Sequence, residues 1–380
     1  MLNTYQKPLC GKRIGIVFGA FAPLHSGHLD LIYRAKKECD GGVVVISCGY
    51  DGDKGEPVMP HRRRYRYVRE FFADDNLVAV YGVNDTEIGA AAYPNGWEIW
   101  LREVNRIWNM ATVPFDEDVP IERIWYVGEP DYCEALRGFG ENVVLINREA
   151  TNPIHATMIR ENPIKHWDKI TFPFRRVFST NILICGTASE GKTTLTADLG
   201  KYFDAPYSHE WARDYMMESC VSDWELDCAD YLAFLEGQYN LNRSLINSQA
   251  NHGLFFSDTD TMVTQMYAKY YAADPSCKLT GADYEKIAVV AKAYVEKSRW
   301  DKIFLLAPKG VFVDDHTRFM AHSGMKERRE LFDILCEIIC SNGLGDKVTV
   351  LDGGAYYQNF LTVKSYALQL IENRKAGLQQ

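Results

Sequence analysis

Two glycine turns, half a chain length apart, constrain this 380-residue sequence more than any other feature in it. An apolar run over 14–18 leads into Gly19-Ala20-Phe21-Ala22-Pro23-Leu24-His25-Ser26-Gly27-His28. A second run over 182–185 leads into Gly186-Thr187-Ala188-Ser189-Glu190-Gly191-Lys192-Thr193. Strand, glycine turn and helix start, in that order, aim free backbone N–H groups at an anion. The first turn offers imidazoles and the second an ammonium and a hydroxyl. The pattern therefore predicts two separate reactions on nucleotide phosphates.

Around each turn the sequence alternates between short apolar runs and helical periodicity. Strands are expected at 14–18, 43–47, 77–81, 124–127 and 143–147, with helices at about 28–38, 62–72, 97–108 and 132–139. Such alternation predicts a doubly wound α/β domain whose ligands bind beyond the carboxyl ends of the strands. A break follows over 161–180, where Pro163 and Pro173 interrupt any long helix and aromatic and basic residues suggest a packed connector. The alternation then resumes. Strands are expected at 181–185, 254–257, 302–306 and 347–351, and helices at 192–203, 228–249, 261–271, 282–297, 326–340 and 356–373. The expectation is two doubly wound, mostly parallel-sheet α/β domains, residues 1–170 and 171–380. The length supports two sizeable cores.

A net charge of -9 argues against a general nucleic-acid binder. The basic cluster Arg62, Arg63, Arg64, Arg66 and Arg69 is local, fit either to hold a small polyphosphate or to form a solvated helix face. The ten cysteines fall into no paired C-x-x-C spacing, which suits free thiols in a reducing cytosol. With no signal-like or membrane-length apolar run, a cytoplasmic location is expected.

At the first turn, Gly19 permits a tight bend and Gly27 a close approach of backbone to ligand. His25 and His28 lie three apart, on one side of the helix start, where they can donate hydrogen bonds to phosphate oxygens as charge builds there. Metal binding is the competing reading, and the local sequence supplies no third ligand for it. Further on, Thr157 and Arg160 open another predicted helix and can complete a phosphate cradle.

The second turn fits G-x-x-x-x-G-K-[ST] completely. Its backbone would wrap ATP phosphates, Lys192 would reach the β- and γ-phosphates, and Thr193 would ligand Mg2+. Three later segments suit an acceptor site and lid: residues 209–215, residues 257–260 at a strand end, and a polar loop over 313–318 ending near Arg328 and Arg329.

The first motif resembles the signature of the adenylyltransferase superfamily of nucleotidyltransferases, and residues 154–163 resemble that superfamily's second motif. With Tyr93-Pro94-Asn95-Gly96-Trp97 and Trp167, the chain is similar to the NadR family over about residues 13–371. Members of that family join nicotinamide mononucleotide adenylyltransferase to ribosylnicotinamide kinase. The resemblance implies an N-terminal Rossmann-like nucleotidyltransferase and a C-terminal P-loop kinase that together make NAD from nicotinamide riboside, using ATP and Mg2+. It places Gly19, Phe21, His25, His28, Thr157 and Arg160 against ATP in the first domain. Trp97 is either a stacking surface for nicotinamide or a core residue. In the second domain it places Gly186, Glu190, Gly191, Lys192, Thr193 and Thr194 around ATP. Glu210 is then the general base or ribose-hydroxyl acceptor and Asp258 joins Thr193 around Mg2+, with the two carboxylates interchangeable. Arg213 and Asp260 would contact substrate, and Arg318 would stabilise the transferring phosphoryl.

Two residues depart from the pattern. Ala20 stands where relatives carry a basic residue, and His155 replaces a serine. Both leave open a chain in which only the kinase works, or a nucleotide-sensing regulator of nicotinamide riboside uptake. The first motif begins close to residue 1, so no DNA-binding segment is expected. The sequence is compatible with a homo-oligomer and with a functional link to a membrane vitamin transporter.

Overall fold

The computed structural model describes residues 6–56, 58–147, 152–309, 324–352 and 355–375. The chain divides into two compact units, the first ending at Val177 and the second spanning Phe178–Arg374.

In the first unit a five-stranded parallel sheet is built from β2 (Arg13–Gly19), β3 (Val43–Gly49), β4 (Val78–Asn84), β6 (Glu122–Val127) and β7 (Asn142–Leu145), in the order β4-β3-β2-β6-β7. Short strands β1 (Leu9–Gly11) and β5 (Thr112–Pro114), not expected from the sequence, pair beside it. The chain starts in the middle strand, fills one side, then crosses to fill the other. The β2–β6 seam is thus a topological switch point, where the strand ends leave a crevice. Alternate residues Ile14, Ile16, Val44, Ile46, Ala79, Tyr81 and Trp125 pack against Trp100, Leu101, Val104 and Ile107 of helix Trp97–Ala111. Each such side chain contributes about 1.5–3 kcal/mol on burial.

The second unit holds another parallel sheet. It is made of β8 (Thr180–Gly186), β9 (Tyr207–Ser208), β10 (Leu254–Ser257), β11 (Lys302–Ala307) and β12 (Val348–Asp352), in the order β12-β11-β8-β10-β9. Period two assigns its faces. Leu183, Cys185, Phe255, Ile303 and Leu305 pack on helices Thr261–Ala272 and Met325–Ser341. Ile182, Ile184, Phe256, Phe304 and Leu306 pack against Leu195, Leu199, Val363 and Ala367 on the other side.

The connector is ordered. Pro173 does not break a helix there but sits in the first turn of one, Phe172–Phe178, where its missing N–H costs nothing. Phe174 meets the Tyr67 ring edge-on, and Arg176 pairs with Glu70. Helix Trp211–Ser219 and the two-residue β9 were not among the expected elements.

The basic cluster divides. Arg62, Arg63 and Arg66 are exposed, but Arg64 is buried and grips the Asp53 carboxylate with both terminal nitrogens, Nη1 to Oδ1 at 2.8 Å. Neither a polyphosphate site nor a uniformly solvated face describes it. Arg64, Tyr65 and Val68 form the helix's buried stripe, and an arginine in a stripe needs an internal counter-ion.

Candidate active sites

Beyond the carboxyl end of β2, a cavity of about 650 Å3 opens in the first unit. Gly19, Phe21, His25, His28, Thr157 and Arg160 line it together, although up to 141 positions separate them in sequence. His25 is fully buried and caps helix Ser26–Glu38, its Nδ1 accepting from Gly27 N at 3.2 Å. That bond makes Nδ1 the lone-pair nitrogen, so in the neutral ring Nε2 carries the proton and is the donor. The His28 ring lies 3.8 Å from it, centroid to centroid, and Phe21 abuts His28 edge-on. A β-carbon on Gly27 would stand 3.2 Å from the His25 ring, so glycine keeps the imidazole in place.

The histidine loop is tied from afar. Arg160 Nη1 donates to Ala22 O at 2.6 Å and Nη2 to Thr157 Oγ1 at 3.0 Å, while Thr171 Oγ1 donates to Leu24 O at 3.1 Å. Burial, then the neighbouring Arg64, lower the Arg160 pKa from its ordinary value, which leaves it cationic at neutral pH. Ala20 and His155 both line the cavity, as does Lys54, an ammonium that sequence reasoning missed. Trp97 is half-buried: it packs edge-on against Phe18, Trp100 and Tyr132 and also lines the cavity.

In the second unit the turn after β8 runs through left-handed backbone at Ser189 (φ 64°) and Gly191 (φ 82°). A β-carbon on Gly186 would lie 2.7 Å from Leu306 O, so only glycine fits against the neighbouring strand. Lys192 is buried, with Nζ donating to Thr187 O at 2.8 Å across the loop. Thr193 Oγ1 donates to Asp258 Oδ2. Among the described residues the other oxygen, Oδ1, is buried with no hydrogen-bond partner. Burial raises the Asp258 pKa, opposed by Lys192 and by the Thr193 hydrogen bond. A hydroxyl and a carboxylate side by side at a phosphate loop fit Mg2+, which takes few protein ligands and keeps waters and substrate phosphates in its shell. Thr194 is exposed on the first turn of helix Lys192–Phe203.

Three expected contacts are placed differently. Glu190 is buried: its Oε1 pairs with Arg328 Nη1 at 2.7 Å and Oε2 accepts from Lys309 N at 3.2 Å. Asp260 is buried with both oxygens engaged. Oδ1 caps helix Thr261–Ala272 through Met262 N, and Oδ2 takes the Trp300 indole N–H at 2.9 Å. Arg213 does not line the cavity beside Glu210 but donates from Nε to Glu210 Oε2 at 2.8 Å. Arg318 and the loop over 313–318 lie outside the described residues.

Beside Glu210 is a small cavity of about 40 Å3 walled by Asp223, Tyr231, Phe234, Gln238, Thr259 and Tyr271, among others. Gln238, another missed residue, holds the Glu210 segment from both sides. Its Oε1 accepts from Trp211 N at 2.8 Å and its Nε2 donates to His209 O at 3.1 Å. A polar side chain on the buried stripe of helix Cys228–Asn247 was the available signal.

Comparisons with known proteins agree with this division. Residues 16–162 match the model of a cytidylyltransferase-like family and residues 181–356 that of an AAA domain. The chain is 27% identical over 347 residues to the "Trifunctional NAD biosynthesis/regulator protein NadR" of Escherichia coli (strain K12), covering 88% of this chain and 78% of that one. It is 28% identical over 349 residues to the protein of the same name from Salmonella typhimurium, with the same shares covered. A crystal structure of NadR protein in complex with NR superposes with a TM-score of 0.76 at 33% identity, covering 95% of this chain and 98% of that one. A second, in complex with NAD and AMP-PNP, gives 0.74 at 34% identity, covering 95% and 97%.

Proposed function

The chain belongs to the NadR family, and from that premise we propose that its two units catalyse consecutive steps of NAD synthesis. The second unit phosphorylates nicotinamide riboside with ATP, and the first adenylates the resulting mononucleotide with a second ATP, releasing pyrophosphate. One observation carries this reading: residues from both ends of the first unit converge on a single open cavity at a switch point, and a complete phosphate loop occupies the equivalent position in the second.

In the first unit a phosphate oxygen of the mononucleotide attacks the α-phosphorus of ATP, and the bond to pyrophosphate breaks. Both reactants carry their charges already, so alignment and charge neutralisation suffice. His25 donates from Nε2, His28 stands beside it, and Arg160 supplies a fixed cation from the helix opposite. Lys54 offers the ammonium that Ala20 lacks.

In the second unit Lys192 exchanges its bond with Thr187 O for phosphate oxygens of ATP. Glu210, oriented by Arg213 and Gln238, takes the proton of the 5′-hydroxyl as that oxygen attacks the γ-phosphorus. Thr193 and Asp258 would hold Mg2+, which neutralises phosphate charge when bound. The small cavity beside Glu210 marks the edge of the riboside site, and its walls would part to admit the nucleoside.

The test supplies nicotinamide riboside, ATP and Mg2+ and follows mononucleotide and NAD together. Both should accumulate, mononucleotide first. Mononucleotide without NAD, even when mononucleotide is added at saturation, would restrict the chain to its kinase.

A further inference from the structure

The wall of the first cavity carries a charge that adenylyl transfer leaves unused. Asp85 directly follows β4, at the carboxyl edge of the sheet, and lines the cavity with Tyr93, Trp97, Trp100 and Tyr132. Among the described residues its Oδ1 is buried and has no hydrogen-bond partner. Among the described residues no cation contributes to its charge balance. Burial first, and then the like charge of Asp53, push its carboxyl up to about 6. The half-buried Cys48 thiol feels the Asp85 charge and accepts from the Trp100 indole N–H. The carboxylate therefore shares one cavity wall with a like charge and a set of aromatic rings.

An ionised, half-desolvated carboxyl in that setting destabilises the empty protein, and its complement is a group that enters with a ligand. The aromatic wall narrows the choice. Rings in edge-on clusters present faces that attract a flat cation, and a flat cation bearing an amide would meet both the faces and the carboxylate.

We propose that Asp85 selects the base of the mononucleotide, accepting the cationic pyridinium ring with its carboxamide and rejecting the counterpart that carries a carboxylate. The inference rests on the adenylyltransferase reading above. A carboxamide N–H2 donates to Asp85, and the ring's positive charge offsets the buried negative one. A nicotinate carboxylate in the same place would set like charges against each other, so discrimination comes from repulsion as well as attraction.

The experiment compares the unaltered protein with Asp85→Asn and Asp85→Ser. It measures kcat/KM with ATP for nicotinamide mononucleotide and for nicotinate mononucleotide, and calorimetric affinity for each. The amide preference should fall by roughly ten- to a hundredfold in both variants, mostly through KM, as expected when one member of a close charge pair is removed. Circular dichroism and a thermal melt that resolves the first unit's transition report that each variant is folded. An unchanged preference in folded variants overturns the proposal. So does an equal loss for both mononucleotides, which would make Asp85 a ribose contact. If the unaltered protein binds nicotinamide mononucleotide without forming NAD, the enzymatic reading fails, and the binding ratio still decides the role of Asp85. A protein that binds neither mononucleotide overturns both.

Discussion

Glu190 and Arg328 face each other at 2.7 Å with side-chain exposures of 0% and 4%, although 138 positions separate them. The pair ties the phosphate loop to helix Met325–Ser341. Truncating Arg328 removes the cation opposite a buried carboxylate. Arg328→Ala should therefore destabilise the second unit by about 3–5 kcal/mol. In Glu190→Gln/Arg328→Met much of that loss should return, because no buried charge is left. Denaturant unfolding of the single and double variants measures the coupling, and additive losses would refute it.

Lys192→Ala should lower phosphorylation of nicotinamide riboside by about a thousandfold or more, since charge stabilisation is the largest contribution to such transfers. Formation of NAD from added mononucleotide should persist at the unaltered rate. Following both products in one assay checks this, and a parallel loss of the two activities would contradict independent sites.

His25 performs two jobs that substitution can separate. Asparagine retains an N-cap acceptor for Gly27 N but removes the Nε2 donor. His25→Asn should cut adenylyl transfer by about a hundred- to a thousandfold at near-normal stability. His25→Ala should lose the same activity and a further ~1 kcal/mol of stability. Thermal melts run beside NAD formation distinguish the two.

A β-carbon on Gly237 would lie 2.3 Å from the Trp211 ring. Gly237→Ala should push Trp211, and with it the adjacent Glu210, out of place at a cost of about 1–3 kcal/mol. Kinase kcat should fall while adenylyl transfer holds. A kinase with unchanged kcat would show that Glu210 is held by Gln238 and Arg213 alone.

The Asp85 carboxyl, pushed from an ordinary 3.8 up to about 6, makes the empty protein less stable as pH rises through that interval. Within it the folded state binds more protons than the unfolded one, so the slope of stability against pH is negative. Asp53, after β3, and the Cys48 thiol, at the end of β3, are the titratable groups acting with it. Asp85→Asn should flatten this part of the melting-temperature profile between about pH 4 and pH 6 and raise the melting temperature at pH 7. An unchanged profile would remove the case for a strained carboxyl.

Local signals were legible because they repeat locally. Both sheets could be outlined from short apolar runs, since a parallel strand buried on two faces is apolar throughout. Both phosphate turns were legible because Gly186 occupies a position that admits no side chain and a β-carbon at Gly27 would crowd Ile154 and His25. Strand β9, of two residues, is too short to carry any periodicity, and helix Trp211–Ser219 has just one fully buried residue to mark its stripe. Asp260 carries two readings for a related reason. A carboxylate at a strand end and a helix N-cap look alike in sequence, and only the position of Trp300, 40 residues on, separates them.

By itself the amino-acid order determined where strands, turns and helices begin, and which backbone N–H groups would be left to meet phosphate, because these follow from contacts within a few residues. Which charges meet was decided by the tertiary structure. Arg64 with Asp53, Glu190 with Arg328, and Asp85 under the like charge of Asp53 are consequences of chain crossings that bring distant side chains into one low-dielectric space. There a carboxylate's role is set by its neighbours and its distance from water, and neither is written in its own stretch of sequence.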